Sequence, residues 1–179
     1  MQPDFMTLSE ADVKHQYSII RPRIPSDKAL TVLHIGRDRT IIATATDVLA
    51  LSIGMEKTGR EFFHHAPPTP EEVENAINVV EDEIERAHKS TGQGSILCTT
   101  DNSVREISHL ASVPDQPEMT LSREALELLF TRLAALSMGR PAVKDNLRVD
   151  ASFSAALLIL REVMFHLGFT SINVLQNVK

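Results

Sequence analysis

Two short segments bring together residue types that hold phosphate. In His34-Ile35-Gly36-Arg37-Asp38-Arg39-Thr40, one glycine, two arginines and a threonine lie side by side. Glycine lets a backbone N–H approach an anion, guanidinium offers a two-pronged donor, and a threonine hydroxyl adds another. Gly36, Arg37, Arg39 and Thr40 are therefore candidate phosphate ligands. The competing reading is a solvated turn in which arginine and Asp38 pair locally, an interaction worth little. The second segment, Thr99-Thr100-Asp101-Asn102, stands between an apolar run and a helical pattern. A helix N-terminus there favours an anion and makes Thr99 and Thr100 candidates. The segment carries no glycine, and Asp101-Asn102-Ser103 equally suits a helix cap.

Other chemical signals are weaker. His64 and His65 are adjacent, so on a helix end they point about 100° apart, and no cysteine or acidic spacing accompanies them; no metal is expected there. Glu81-Asp82-Glu83-Ile84-Glu85 reads as a solvated helix face. Cys98 lies in the apolar run SILC and reads as a buried thiol. No GxxxxGK[ST] loop, HExxH helix, GxSxG elbow or CxxC pair occurs, which removes the common nucleotide, zinc and acyl-transfer motifs.

Whole-chain properties narrow the classes further. The 179 residues carry a formal charge of −6, the wrong sign for a duplex nucleic-acid binder. With 42% hydrophobic and 23% charged residues, the chain suits one soluble core. Aromatic content is 4% with no Trp, so stacking on bases is not expected. The start MQPDFMTLSEAD lacks a basic and apolar leader, and no stretch approaches the roughly 20 apolar residues of a membrane span. One cysteine and no leader make the cytoplasm the expected compartment, with no membrane partner.

The elements that must position the candidates follow from periodicity. An N-terminal segment, residues 1–28, contains a short helix over LSEADVKHQYSII capped by Ser9, and residues 29–179 form one domain. ALTVLHIG and TIIATATDVLALSI are rich in β-branched residues and predict two or three antiparallel strands around the Gly36–Arg39 turn. Glu56–Phe63 predicts a short helix. Thr69, Pro70 and Glu71-Glu72 open a longer one, with Val73, Ala76, Ile77, Val80 and Ile84 on its inner stripe. A strand over Ser95–Thr99 leads into a helix over Val104–Ala111. Thr120 or Ser122 caps a helix to Ser137, Ala151–His166 forms a nearly enveloped helix, and TSINVLQNV forms a last strand. The fold class is α/β with a mixed sheet.

The element order resembles the exopolyphosphatase / guanosine pentaphosphate phosphohydrolase (Ppx/GppA) family from Leu8 onward. LSEADVKHQYSII is similar to its ISGEEEARLIYLG segment, LTVLHIGRDRTIIAT takes the place of its LVVDIGGGSTELV hairpin, and APPTPEEVENAI is similar to its PPTPEEI stretch. ILCTTDNSVREISHLA stands where the family has GVGGTATTLAAL. TLSREALELLFTRLAALS followed by RVDASFSAALLILREVMFHLGFTSINVL is the closest match. The resemblance implies a ribonuclease-H-like, actin-like ATPase fold. It also implies that the chain corresponds to the second half of a two-lobed catalytic core whose active site lies between the lobes.

By the same resemblance, the family's general-base glutamate falls at Asp12. The family's glycine loop survives as Gly36 and Thr40, with Arg37 and Asp38 in place of two glycines. His34 replaces an aspartate associated with metal and phosphate. Thr99-Thr100-Asp101 replaces the second phosphate loop. Three functional readings follow. The first is a catalytically impaired regulatory or anion-binding module for a phosphate-containing small molecule or polyphosphate. The second is a hydrolase of polyphosphate or guanosine pentaphosphate that uses Mg²⁺, with Asp12 activating water. The third is a homo-oligomeric scaffold without ligand.

Overall fold

The computed structural model describes residues 7–141 and 146–176. Residues 1–6 of the expected N-terminal segment, and Asn177 and Val178 of the expected last strand, lie outside the described residues.

The chain opens with helix α1 (Glu10–Ile20), held by a reciprocal cap: Ser9 Oγ accepts the Asp12 N–H and the Asp12 carboxylate accepts the Ser9 N–H. A 3₁₀ turn, Arg21–Arg23, leads out of it. Strands β1 (Leu30–Ile35), β2 (Thr40–Ala43) and β3 (Val48–Leu51) form an antiparallel meander. Helices α2 (Met55–Phe62) and α3 (Pro70–Glu85) follow, then β4 (Ile96–Thr99), α4 (Asn102–Leu110), β5 (Glu118–Ser122), α5 (Arg123–Ser137), α6 (Ala151–His166) and β6 (Ser171–Leu175). The six strands form one sheet in the order β3-β2-β1-β4-β6-β5, with β1–β4 and β4–β6 parallel and the rest antiparallel.

The sheet separates two apolar layers. On one face α1 is the one helix that packs among the described residues, bringing Val13, Tyr17 and Ile20 onto Leu30, Val32, Ile41, Ala43 and Cys98. That i, i+4, i+7 spacing is one helical stripe. On the other face α6 lies at the centre of the other helices, and Phe153, Leu157, Leu158, Ile159, Leu160 and Val163 are buried on all sides of it. Each such side chain contributes roughly 1.5–3 kcal/mol relative to exposure, so α6 is the axis on which the second core is built. Glu162 is buried among them, and burial pushes its carboxyl up against the opposing pull of Arg161 and His166.

Three expectations need correction. Thr120 does not cap a helix: Glu118–Ser122 is a strand, pairing Thr120 with Asn173 and alternating Met119 and Leu121 inward with Glu118, Thr120 and Ser122 outward. Ser122 alone caps α5, accepting the Ala125 N–H at 3.1 Å. The acidic run is not wholly solvated either, because Glu83 accepts the Ser52 N–H and Glu81 reaches α6. The third correction concerns Asp101.

Candidate functional site

A crevice opens at the carboxyl ends of the parallel strands β1 and β4, where the chain leaves β1 toward β2 on one side and β4 toward α4 on the other. Ligands in open α/β sheets bind at such a divergence. Its lining includes Leu8, Gln16, His34, Gly36, Arg37, Thr100, Asp101, Asn102 and Ser103.

The β1–β2 turn forms one wall. Its carbonyls are committed to α2: Gly36 O accepts the Met55 N–H at 2.9 Å, and Arg37 O accepts the N–H groups of Glu56 and Lys57 at 2.9 and 3.0 Å. This approach requires Gly54, where a Cβ would lie 2.5 Å from Arg37 O. The amides at the start of α2 are thus already satisfied. The Arg37 guanidinium reaches Glu56 Oε2 at 2.7 Å on the surface.

The other wall is the start of α4. Asp101 occupies the N-cap position, yet its side chain makes no capping bond. The carboxylate turns across to β1, where Oδ1 lies 2.6 Å from His34 Nδ1 and Oδ2 accepts the Ile35 N–H at 2.7 Å. Both side chains are only 7% exposed. His34 Nε2 accepts the Leu8 N–H at 3.3 Å, which assigns the ring proton to Nδ1 and makes Asp101 its acceptor. Asp101 therefore joins β1 to β4 instead of capping α4, and the first amides of α4 keep their capacity for another acceptor. Two polar groups in the crevice share that condition. The Ser103 hydroxyl and Gln16 Oε1 are buried with no hydrogen-bond partner among the described residues.

The sequence candidates divide. Gly36, Arg37 and Thr100 line the crevice. Arg39 is exposed on the turn, whereas Thr40 is buried in β2 with its hydroxyl unpartnered. Thr99 is buried, and its Oγ1 accepts the Asp101 N–H at 3.1 Å. Asp12 lies on the surface of α1, its Oδ2 accepting both the N–H and the hydroxyl of Ser9 at 2.8 and 2.6 Å. Those bonds hold its carboxyl below the usual range. Sequence reasoning passed over Gln16, and it took Ser103 only as part of a cap. The available signal was His34, a polar residue within the apolar strand LTVLHI.

Sheet order, the one helix on one face among the described residues and the crevice at the β1–β4 divergence define a lobe of ribonuclease-H-like fold. The solved structures that it resembles agree. A Ppx/GppA enzyme of Aquifex aeolicus superposes with a TM-score of 0.74 at 17% identity, over 93% of this chain and 60% of that one. An exopolyphosphatase of Cytophaga hutchinsonii gives 0.69 at 14% identity, over 92% and 60% respectively. An exopolyphosphatase-like protein gives 0.67 at 12% identity. This chain therefore spans about 60% of the length of these structures, a share that fits the second half of the two-lobed core. No family profile matches the sequence, and no curated protein matches it. Among the described residues no helix is long and apolar enough to cross a membrane.

Proposed function

We propose that this lobe is a binding module for a small phosphate-containing ligand, of the Ppx/GppA-like fold but without hydrolysis. The observation that carries the reading is the pair of unpartnered polar groups, Ser103 Oγ and Gln16 Oε1, in a crevice beside the uncapped start of α4. A phosphate oxygen satisfies the hydroxyl and the helix amides together, and a flip of the Gln16 amide turns its N–H₂ toward the same anion. Arg37 at the rim adds charge once it leaves Glu56. Gly36 and Thr100 line the same space, while Arg39, Thr40 and Thr99 play at most a supporting part. The chain's −6 charge disfavours a long polyanion such as polyphosphate relative to a small ligand.

Two features support the absence of hydrolysis. Asp12, the counterpart of the general base, has its carboxylate tied to Ser9 and its proton affinity lowered, the opposite of what a base poised near neutrality needs. Mg²⁺ needs hard oxygen ligands, and among the described residues the one carboxylate lining the crevice, Asp101, has both oxygens engaged by His34 and Ile35. The residues present do not fit that ion.

Inorganic phosphate is expected to raise the melting temperature, and Ser103→Ala to remove that rise. Without ligand, Ser103→Ala is expected to stabilise by about 1 kcal/mol, because an unsatisfied buried hydroxyl is replaced by a methyl. A phosphate-dependent rise unchanged in Ser103→Ala would exclude this crevice. Phosphate release from guanosine pentaphosphate or polyphosphate with Mg²⁺, abolished by Asp12→Asn, would establish the hydrolase. No response to phosphate in a chain that sediments as an oligomer would favour the scaffold.

A further inference from the structure

At the far end of α6 from Asp150, one imidazole faces two carboxylates from different helices. His166 Nε2 lies 3.1 Å from Oε2 of Glu162, one turn earlier on α6, and 3.2 Å from Oε1 of Glu81 on α3. One ligand atom from each of the three residues lies within 4.8 Å of the others. A single ring nitrogen holds at most one proton, so it cannot give both carboxylates a full hydrogen bond.

The surrounding charges deepen this shortage. Arg161 approaches Glu162 Oε1 at 2.5 Å and Glu127 of α5 at 3.0 Å, and its guanidinium stacks 4.5 Å from the centre of the Phe130 ring. Among the described residues, three carboxylates, Glu81, Glu127 and Glu162, thus share one guanidinium and one imidazole. The Glu162 side chain is 2% exposed, where water does little to screen the imbalance.

We propose that Glu81, Glu162 and His166 form a site for a divalent transition-metal ion of the Zn²⁺ class that clamps α3 to α6. Bonds of roughly 2.0–2.2 Å in a tetrahedron hold ligand atoms about 3.3 Å apart, and the two distances from His166 already have that spacing. One nitrogen and two carboxylate oxygens suit Zn²⁺ or Co²⁺ better than Mg²⁺, which prefers oxygen alone. Arg161 holds the second oxygen of Glu162 and so orients the ligand from outside, as outer partners of metal ligands do. His166 also lines an open cavity with His88 and Gly168, a route by which the ion and a water ligand enter. The dication replaces one shared proton and cancels the local excess of negative charge.

The test uses the full chain after chelator treatment. Titration with ZnCl₂ should show one tight equivalent, and Co²⁺ should give the intense visible absorption of a tetrahedral site. At a hundredfold excess over Kd, Zn²⁺ should raise the melting temperature by about 5–10 °C. Glu81→Gln changes a half-exposed side chain and should leave the metal-free melting temperature within about 2 °C while weakening binding at least tenfold. His166→Gln should abolish the equivalent. His65→Gln is the control for adventitious capture at His64-His65 and should leave the tight equivalent in place. Absence of a tight equivalent, or one that persists in His166→Gln, would overturn the site and leave the cluster a proton-bridged ion pair. Either result is independent of phosphate binding at the crevice.

Discussion

At the residue scale, Asp101 decides most about the crevice. It accepts from two buried donors, the His34 ring and the Ile35 backbone. An asparagine there offers one acceptor oxygen, so one donor is left without a partner, at a cost of about 1–3 kcal/mol. Asp101→Asn should therefore lower the urea midpoint by a corresponding amount without changing the slope; an unchanged midpoint would mean that the pair contributes nothing net. The same residue shows what a linear reading can and cannot reach. The caps at Ser9 and Thr69 are closed between residues three apart, and their letters alone foretell them. The His34–Asp101 bond joins residues 67 positions apart, and Asp101 in front of a helix looks like any N-cap until β1 is placed beside β4. The unpartnered state of Ser103 and Gln16 is likewise invisible in the sequence, because it depends on what does not lie across from them.

At the element scale, the contacts that fix helices to one another involve small residues and caps. Gly59 of α2 faces α6 so closely that a Cβ would lie 2.8 Å from Ala151 O and 2.9 Å from its carbonyl carbon. Gly59→Ala gains up to about 1 kcal/mol of helix propensity. The neighbour is backbone and cannot swing away, so overpacking of about 1–3 kcal/mol should win. The melting temperature should fall by several degrees, and a rise would show that α2 shifts freely on α6. The start of α3 carries a pH dependence. Desolvation raises the Glu72 carboxyl, but His65 and the amides of Thr69 and His64 outweigh it and hold it at about 2, against an ordinary 4.5. A lowered folded value means stabilisation that is complete above about pH 4.5 and lost as pH falls toward 2. With His65 largely exposed, screening reduces it to on the order of 1 kcal/mol. Glu72→Gln should flatten the acid limb of a stability–pH profile; an unchanged limb would remove Glu72 from the account. Among elements, β5 was the least legible. PEMTLS is short, and Thr120 before Glu124 imitates a helix start, whereas its strand character comes from pairing with β6, about fifty residues later.

At the scale of the whole molecule, one sheet separates two cores of unequal size. The larger is organised by α6 and the smaller is roofed by α1, with Leu8 and Ile24 at its ends. Whether they melt together is a question that Cys98 can answer. It lies on β4 between Val32 of β1 and Asn173 of β6, inside the smaller core. Burial pushes its thiol up to about 11, against a hydrogen bond from Asn173 that lowers it. Near pH 8 only about one thiol in a thousand would be ionised even if reagent reached it, so labelling proceeds through opening. If the layers form one cooperative unit, the labelling rate should rise with urea as steeply as global unfolding does. The native chain should also react at least about a thousandfold more slowly than the unfolded one, because native stabilities of even a few kcal/mol impose that ratio. Fast labelling with a shallow urea dependence would mean that α1 lifts off while the α6 core stays folded. Since Gln16 and Leu8 belong to α1 and its approach, that outcome would also mean that the crevice at the β1–β4 divergence opens and closes with this layer.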